Sequence, residues 1–363
     1  MTKPAVLFVA VHLGPYQSLA PLESEFASHR CLFLVTGSAR ERRQSSGLPC
    51  CEPALILGER NEVSGHFLRA HGVEAIISGT SDGVTPDENI EVKAQVAGTE
   101  MNIPVFVVED FPGNFPGSRD DIRVTGLFVE TQGVDSIYRD RRSLIEKIYC
   151  LGNPRYDDSK RVGSAERDIR RAEMRRVLGL SQKAVLWAGQ PDGVNSFETL
   201  SRLVLTLDAM GLTLLFKAHP RDPLYAQGAY MKLLSRINAW LDVTSVRDIA
   251  GLCCASDLVM TQFSSVGVEA GYFGTPSLFV LFPDLGQRYL QQQKGYAIVP
   301  WASLGCAFLL DTPDLAQDVL ETAVYDEAAR AQVQAKFSSL FRAKPASAPL
   351  VASTIHGVLR GTA

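Results

Sequence analysis

The stretch Leu214-Leu215-Phe216-Lys217-Ala218-His219-Pro220-Arg221 runs an apolar strand directly into a cation, an imidazole, a proline and a second cation. An apolar run that ends at once in anion-binding groups fits a buried parallel strand whose carboxyl end opens on a ligand site. Alternation sends Lys217 and His219 to the same side, and Pro220 fixes the turn behind them. Lys217, His219 and Arg221 so placed suit a phosphate, with His219 donating to a bridging or leaving oxygen. Solvated strand-end charges and a loop-capping histidine are the plain alternative.

A second strand, turn and helix start follows at Ser256–Ala270. Its Ser264-Ser265 pair lies where amides, hydroxyls and the positive end of a helix can meet an anion. Glu269, about one turn further in, is placed to accept hydrogen bonds from ribose hydroxyls; an N-cap with a solvent-facing glutamate is the alternative.

Further from these stretches, short apolar runs alternate with helical-period segments, the signature of parallel α/β architecture. Strands are expected at Ala5–Val11, Cys31–Val35, Ala75–Ser78, Val105–Val108, Gly126–Val129 and Ile148–Leu151. A second set is expected at Ala184–Ala188, Leu212–Ala218, Leu258–Thr261 and Pro276–Val280. Helices are expected at Glu62–His71, Asn89–Met101, Phe197–Met210, Leu224–Ala239, Val246–Cys254 and Ser265–Phe273. Most of the strands are continuously apolar, as helices on both faces require. Hydrophobicity collapses after Gly152-Asn153-Pro154-Arg155, with Ser164 a candidate N-cap, and this marks a boundary between domains. Residues 155–176 carry eight Lys or Arg against five Asp or Glu, read as a solvated helix face. The fold class is α/β, two doubly wound Rossmann-like domains facing a cleft. The divisions are 1–152, a linker at 153–165, 166–346, and a terminal helix at 347–363 returning to the first domain.

Composition narrows the function. With 363 residues, 46% hydrophobic and 21% charged, the chain is globular and long enough for two cores. A net charge of −4 offers no general attraction to nucleic acid. No segment approaches the roughly 20 apolar residues of a membrane span, and the N-terminus reads as a first strand rather than a signal peptide. Seven cysteines without C-x-x-C spacing suit reduced thiols in the cytoplasm. G-x-x-x-x-G-K-[ST] and H-E-x-x-H are missing from the sequence, so a P-loop kinase and a zincin are not indicated, and no tightly bound metal or cofactor is expected.

The K-x-H-P strand end, the S-S-x-G-x-E-A helix start and the Gly152–Asp157 turn together resemble GT-B-type glycosyltransferases and their relatives. Among these are bacterial sialyltransferases with HP and SS motifs, capsule Kdo transferases and CDP-glycerol glycerophosphotransferases. The resemblance implies a nucleotide-sugar donor bound by the second domain, His219 on its phosphate, Ser264 and Ser265 binding the same group, and Glu269 on the ribose. It places Gln190, in Gln190-Pro191-Asp192-Gly193, in a loop set against the nucleotide, and assigns the first domain to the acceptor, a glycan or polyol. His12, just past the first strand, is the first candidate for the base, since a histidine suits removal of a hydroxyl proton. Asp110 and Asp82, each in a loop after another strand, are reserves. The reading is an inverting glycosyltransferase for which a CMP-sugar or CDP-alditol is favoured and a UDP-sugar remains open. The alternatives are an enzyme like UDP-N-acetylglucosamine 2-epimerase and a non-catalytic binding subunit.

Overall fold

The computed structural model describes residues 3–58, 62–85, 88–115, 122–131, 133–134, 137–138 and 144–362. It divides into two compact units, Met1–Asp157 with Pro345–Ala363, and Asp158–Lys344.

Unit 1 carries strands β1 (Ala5–Ala10), β2 (Arg30–Val35), β3 (Val73–Ser78), β4 (Val105–Val108), β5 (Gly126–Val129) and β6 (Ile148–Cys150). They pair in parallel in the order β2-β1-β3-β4-β5-β6. Two of its helices bear on function, α1 (Leu13–Leu19) and α2 (Ile90–Glu100). The apolar run of β1 is continuous because both faces are covered. Val6, Phe8 and Ala10 join a cluster with Phe26 and Phe33, while Ala5, Leu7 and Val9 join another with Leu68 and Ala94. Each buried Val, Leu or Phe among them contributes about 1.5–3 kcal/mol relative to exposure.

Unit 2 carries β7 (Ala184–Ala188), β8 (Thr213–Lys217), β9 (Trp240–Asp242), β10 (Leu258–Thr261), β11 (Ser277–Val280) and β12 (Phe308–Leu310). They too pair in parallel, in the order β12-β11-β10-β7-β8-β9. Counted from its own first strand this is the 3-2-1-4-5-6 order of a dinucleotide-binding sheet. Its relevant helices are α3 (Ser164–Val177), α4 (Gly193–Ser201), α5 (Ile249–Ala255) and α6 (Ser265–Tyr272).

Several expectations are corrected. Strands β9 and β12 were not anticipated, since three residues at a sheet edge carry no readable period. The helix expected at Leu224–Ala239 is two short helices, Pro223–Ala226 and Ala229–Leu234, parted at Gly228, whose φ of 73° leaves helical space. The helix expected at Phe197–Met210 divides into α4 and Val204–Ala209. Ser164 is the first residue of α3, and Gly163 takes the cap position without a side-chain bond. Nor is α3 simply a solvated basic face. Arg171 donates to Cys254 O and Ser256 O, each at 2.9 Å, and to Asp257 Oδ1 at 2.8 Å; Arg175 reaches Ala255 O at 3.0 Å. These guanidiniums satisfy the carbonyls at the end of α5, where the helix has none of its own donors left.

The helix Ser347–Leu359 belongs to unit 1. Ala348, Val351, Ala352 and Ile355 complete the cluster around Phe8 and Phe26. Its first amides are held by buried Asp157, whose two oxygens accept from Ser347 N and Ala348 N, both at 2.7 Å. Replacing this carboxylate removes two charge-assisted bonds and a helix cap. Asp157→Ala should therefore cost about 1–3 kcal/mol. In thermal unfolding it should lower the midpoint of unit 1, and limited trypsin digestion should release the terminal segment by cutting after Arg342, since Pro345 protects Lys344. An unchanged midpoint and digestion pattern would refute the role of this cap.

Candidate functional site

In an open parallel sheet, ligands bind beyond the carboxyl ends of the strands where the strand order reverses. In unit 1 that point lies between β1 and β3. His12 follows β1 as the extended residue before α1, and its amide donates to Ser81 Oγ at 3.0 Å. Its ring bonds through Nε2 to Asp82 O at 3.0 Å. A carbonyl only accepts, so Nε2 carries the proton and the lone pair of the neutral ring is on Nδ1. Asp82 offers its backbone here; its exposed carboxylate caps its own turn by accepting from Gly83 N at 2.8 Å. Asp110, after β4, accepts from Thr80 Oγ1 at 2.7 Å and Asn114 Nδ2 at 3.1 Å. The loops are tight: a Cβ on Gly14 would lie 2.8 Å from Asp110 Oδ2, and one on Gly79 would lie 2.4 Å from Pro15 Cβ. Glycine is what allows the His12 and Asp110 loops to approach each other. The turn after β6 is tied in through Asn153, which donates to Glu109 O at 3.1 Å. All three base candidates, His12, Asp82 and Asp110, thus gather at one end of one sheet.

Glu91 was not among the residues expected at the site. It is fully buried in the first turn of α2, where Oε1 accepts from Ser81 Oγ at 2.7 Å and Val11 N at 3.1 Å, and Oε2 from Ser81 N at 2.6 Å. Burial pushes its carboxyl up to about 7, opposed by the bonds from Ser81 and Val11 and reinforced by the charge of Asp110.

In unit 2 the order reverses between β7 and β10. Thr261, the last residue of β10, ties both strand ends together. Its hydroxyl donates to Ala188 O at 2.8 Å and accepts from Gln190 Nε2 at 3.0 Å and Ser264 N at 3.1 Å. Ser264 caps α6, accepting from Val266 N at 3.3 Å, and Ser265 is the first helical residue. Glu269, one turn on, is half-buried. His219 follows β8, and its Nδ1 accepts from Arg221 N at 3.1 Å. That bond keeps the proton of the neutral ring on Nε2, which is therefore the donor nitrogen. The Arg221 side chain is exposed.

Two expected ligands are placed differently. Lys217 turns its ammonium onto Val246 O at 2.7 Å, Thr244 O at 3.0 Å and Val243 O at 3.4 Å. Burial pushes its pKa down, with Asp242 opposing. It holds the loop after β9, because three convergent carbonyls outbid solvent for a half-buried cation. Gln190 is 4% exposed, its amide spent on Thr261. The Pro191-Asp192-Gly193 segment is a helix start, with Asp192 Oδ1 accepting from Asn195 N at 3.3 Å. Two further features went unread in the sequence. Buried Asp222 bonds Tyr230 Oη, Leu224 N and Tyr225 N and so shapes the turn after His219. Phe263 stacks on Tyr289 with centroids 5.0 Å apart, an aromatic plate beside Ser264.

Among the described residues no helix is long and apolar enough to cross a membrane. Solved structures similar to this chain include the wall teichoic acid polymerase TagF, at 17% identity and TM-score 0.56 over 99% of this chain and 90% of that one. UDP-GlcNAc 2-epimerase from Neisseria meningitidis, bound to UDP-GlcNAc, matches at 14% and 0.62 over 98% and 100%. A glycosyltransferase from Rickettsia africae matches at 10% and 0.66 over the whole of both chains. At these identities the likeness is one of fold, the GT-B-like pairing of two parallel α/β sheets. No curated protein sequence matches. Residues 123–341, more than half of the chain and containing the His219 turn and the Ser264 helix start, match the family model described as CDP-Glycerol:Poly(glycerophosphate) glycerophosphotransferase. The chain belongs to that family of nucleotide-dependent transferases.

Proposed function

We propose that the enzyme takes a CDP-alditol, with CDP-glycerol the first choice, and passes its alditol phosphate to a hydroxyl of a polyol-phosphate or glycan acceptor. The observation that carries this reading is the family match, which spans the unit 2 switch point where a histidine with a protonated Nε2 stands at a strand end and a serine caps a helix start. TagF, a fold relative, has been solved as a histidine variant soaked with CDPG and as a second histidine variant. Two histidines hold comparable importance in this reading.

With such a donor the acceptor oxygen attacks the phosphorus that bears the alditol. A new phosphate ester bond forms, the anhydride bond breaks, and CMP leaves with the electron pair. His12 in unit 1 takes the hydroxyl proton on Nδ1 while its Nε2–H stays on Asp82 O. In unit 2 the developing charge on the CMP phosphate is met by His219 Nε2–H and by the amides and hydroxyls of Ser264 and Ser265 at the positive end of α6. Glu269 accepts from the ribose hydroxyls. Phe263 and Tyr289 offer a flat wall to the base.

CMP release from CDP-glycerol with a synthetic glycerol-phosphate oligomer as acceptor tests the reading; no turnover with any cytidine or uridine donor would discard it. His12→Ala should lower kcat by about 10²–10⁴ with donor affinity nearly unchanged. If it stays fully active, the base is a carboxylate, with Asp110→Asn the next variant to assay. His219→Ala, and Ser264→Ala with Ser265→Ala, should each weaken CDP binding by about 1.5–3 kcal/mol in titration calorimetry. Lys217→Met should lower the melting temperature but leave CDP affinity within about twofold, since its ammonium serves three carbonyls. A Lys217 variant that binds CDP as poorly as His219→Ala would restore the lysine to the donor site.

A further inference from the structure

Two hydrogen bonds of His12 lead to the segment Ser81-Asp82: its amide donates to the Ser81 hydroxyl and its ring to the Asp82 carbonyl. That segment in turn hangs on one carboxylate. Glu91 takes the Ser81 amide on Oε2 and the Ser81 hydroxyl on Oε1, and the same Oε1 takes the amide of Val11, the residue before His12. A hydroxyl has one proton, so the bond from Ser81 Oγ to Glu91 is what turns the Ser81 lone pair towards the His12 amide. Three donors converge on a group with no cation partner among the described residues, in a setting where an unpaired carboxylate is costly. An amide in its place would hold one side of this arrangement and repel the other, because its nitrogen donates.

We propose that Glu91 is the positioning residue of the unit 1 site, an acceptor that fixes Val11 and Ser81 and through them the place and tautomer of the His12 imidazole. This rests on the reading of His12 as the base. Glu91 itself does not touch substrate. The other titratable groups around it are His12 after β1, Asp82 after β3 and Asp110 after β4, and of these Asp110 raises its proton affinity. Because burial raises the carboxyl from 4.5 to about 7, the folded state binds this proton more tightly than the unfolded chain does. Its contribution to stability is therefore full in acid and declines as pH rises from about 4.5 through about 7.

The test compares wild type, Glu91→Gln, Ser81→Ala and the double variant. CMP release from CDP-glycerol gives kcat and KM, thermal unfolding is followed from pH 5 to 8, and the His12 ring resonance, assigned by its loss in His12→Ala, is read by NMR. Glu91→Gln should lower kcat about 10- to 100-fold with KM for donor within about threefold, since a misplaced base slows chemistry without loosening the donor. Its melting temperature at pH 8 should be no lower than wild type, its decline between pH 5 and 8 should flatten, and the His12 resonance should shift. Ser81→Ala should lower kcat about tenfold alone and add little to Glu91→Gln, as members of one chain do. Wild-type kcat in Glu91→Gln, a loss of activity that only tracks unfolded protein, or an unmoved His12 resonance overturns the proposal. If Glu91→Gln does not fold, Ser81→Ala decides by the same resonance: a shift supports the positioning role, and no shift overturns it. An inactive His12→Ala beside a fully active Glu91→Gln overturns this inference alone. A fully active His12→Ala overturns the base assignment, and the resonance still decides whether Glu91 places the ring.

Discussion

A parallel sheet with helices on both faces has nowhere to put polar chemistry except at the ends of its strands. The runs Ala5–Ala10 and Ala184–Ala188 are buried along their whole length, so every polar side chain that serves a ligand must come from the loops beyond them. Where adjacent strands diverge to opposite crossovers, those loops part and leave room. His12 and Ser81 stand at that point in one sheet, Gln190 and Ser264 in the other. The candidate chemistry of this chain follows from that single constraint.

The two strand-end sites are organised by opposite electrostatics. In unit 1 the hubs are carboxylates, Glu91 and Asp110, which gather hydroxyls and amides and make the surroundings of His12 proton-accepting. At the start of α6 the hub is the neutral Thr261 hydroxyl, and what it arranges is a row of amides and a serine cap. An anion is welcome beside hydroxyls and helix amides and unwelcome beside a buried carboxylate, and the proposed division of labour between base and donor site rests on that difference of hub. Lys217, a cation at one of these strand ends, is bonded to loop carbonyls.

How much of this the sequence disclosed depended on whether a residue's role was local. That His219, Ser264 and Ser265 stand in the turns beyond strand ends was legible because each comes soon after an apolar strand, and the chain positions that signal a strand end also place the residue. The carbonyl partners of Lys217 were not legible: alternation states which side of a strand a residue takes but not that the loop after β9, itself unread, brings three carbonyls there. Glu91 was invisible because its partners, Val11 and Ser81, lie 80 and 10 residues away and its own neighbours read as an ordinary first turn of a helix. The edge strands β9 and β12 fell below the length at which a period can be seen, and the broken helices turned on Gly228 and on tertiary packing rather than on composition.

The return of residues 345–362 to unit 1 carries a consequence for how the molecule is made. Unit 2 is, in topological terms, inserted within unit 1: Asp157 and its partners Ser347 and Ala348 meet only after nearly two hundred intervening residues have been synthesised. A nascent chain that has emerged as far as β6 has all six strands of its first sheet but lacks Val351 and Ile355 against Phe8 and Phe26, and so exposes an apolar groove for as long as unit 2 takes to emerge. Unit 2, contiguous in sequence, can finish folding first, which reverses the order in which the two halves appear on the ribosome.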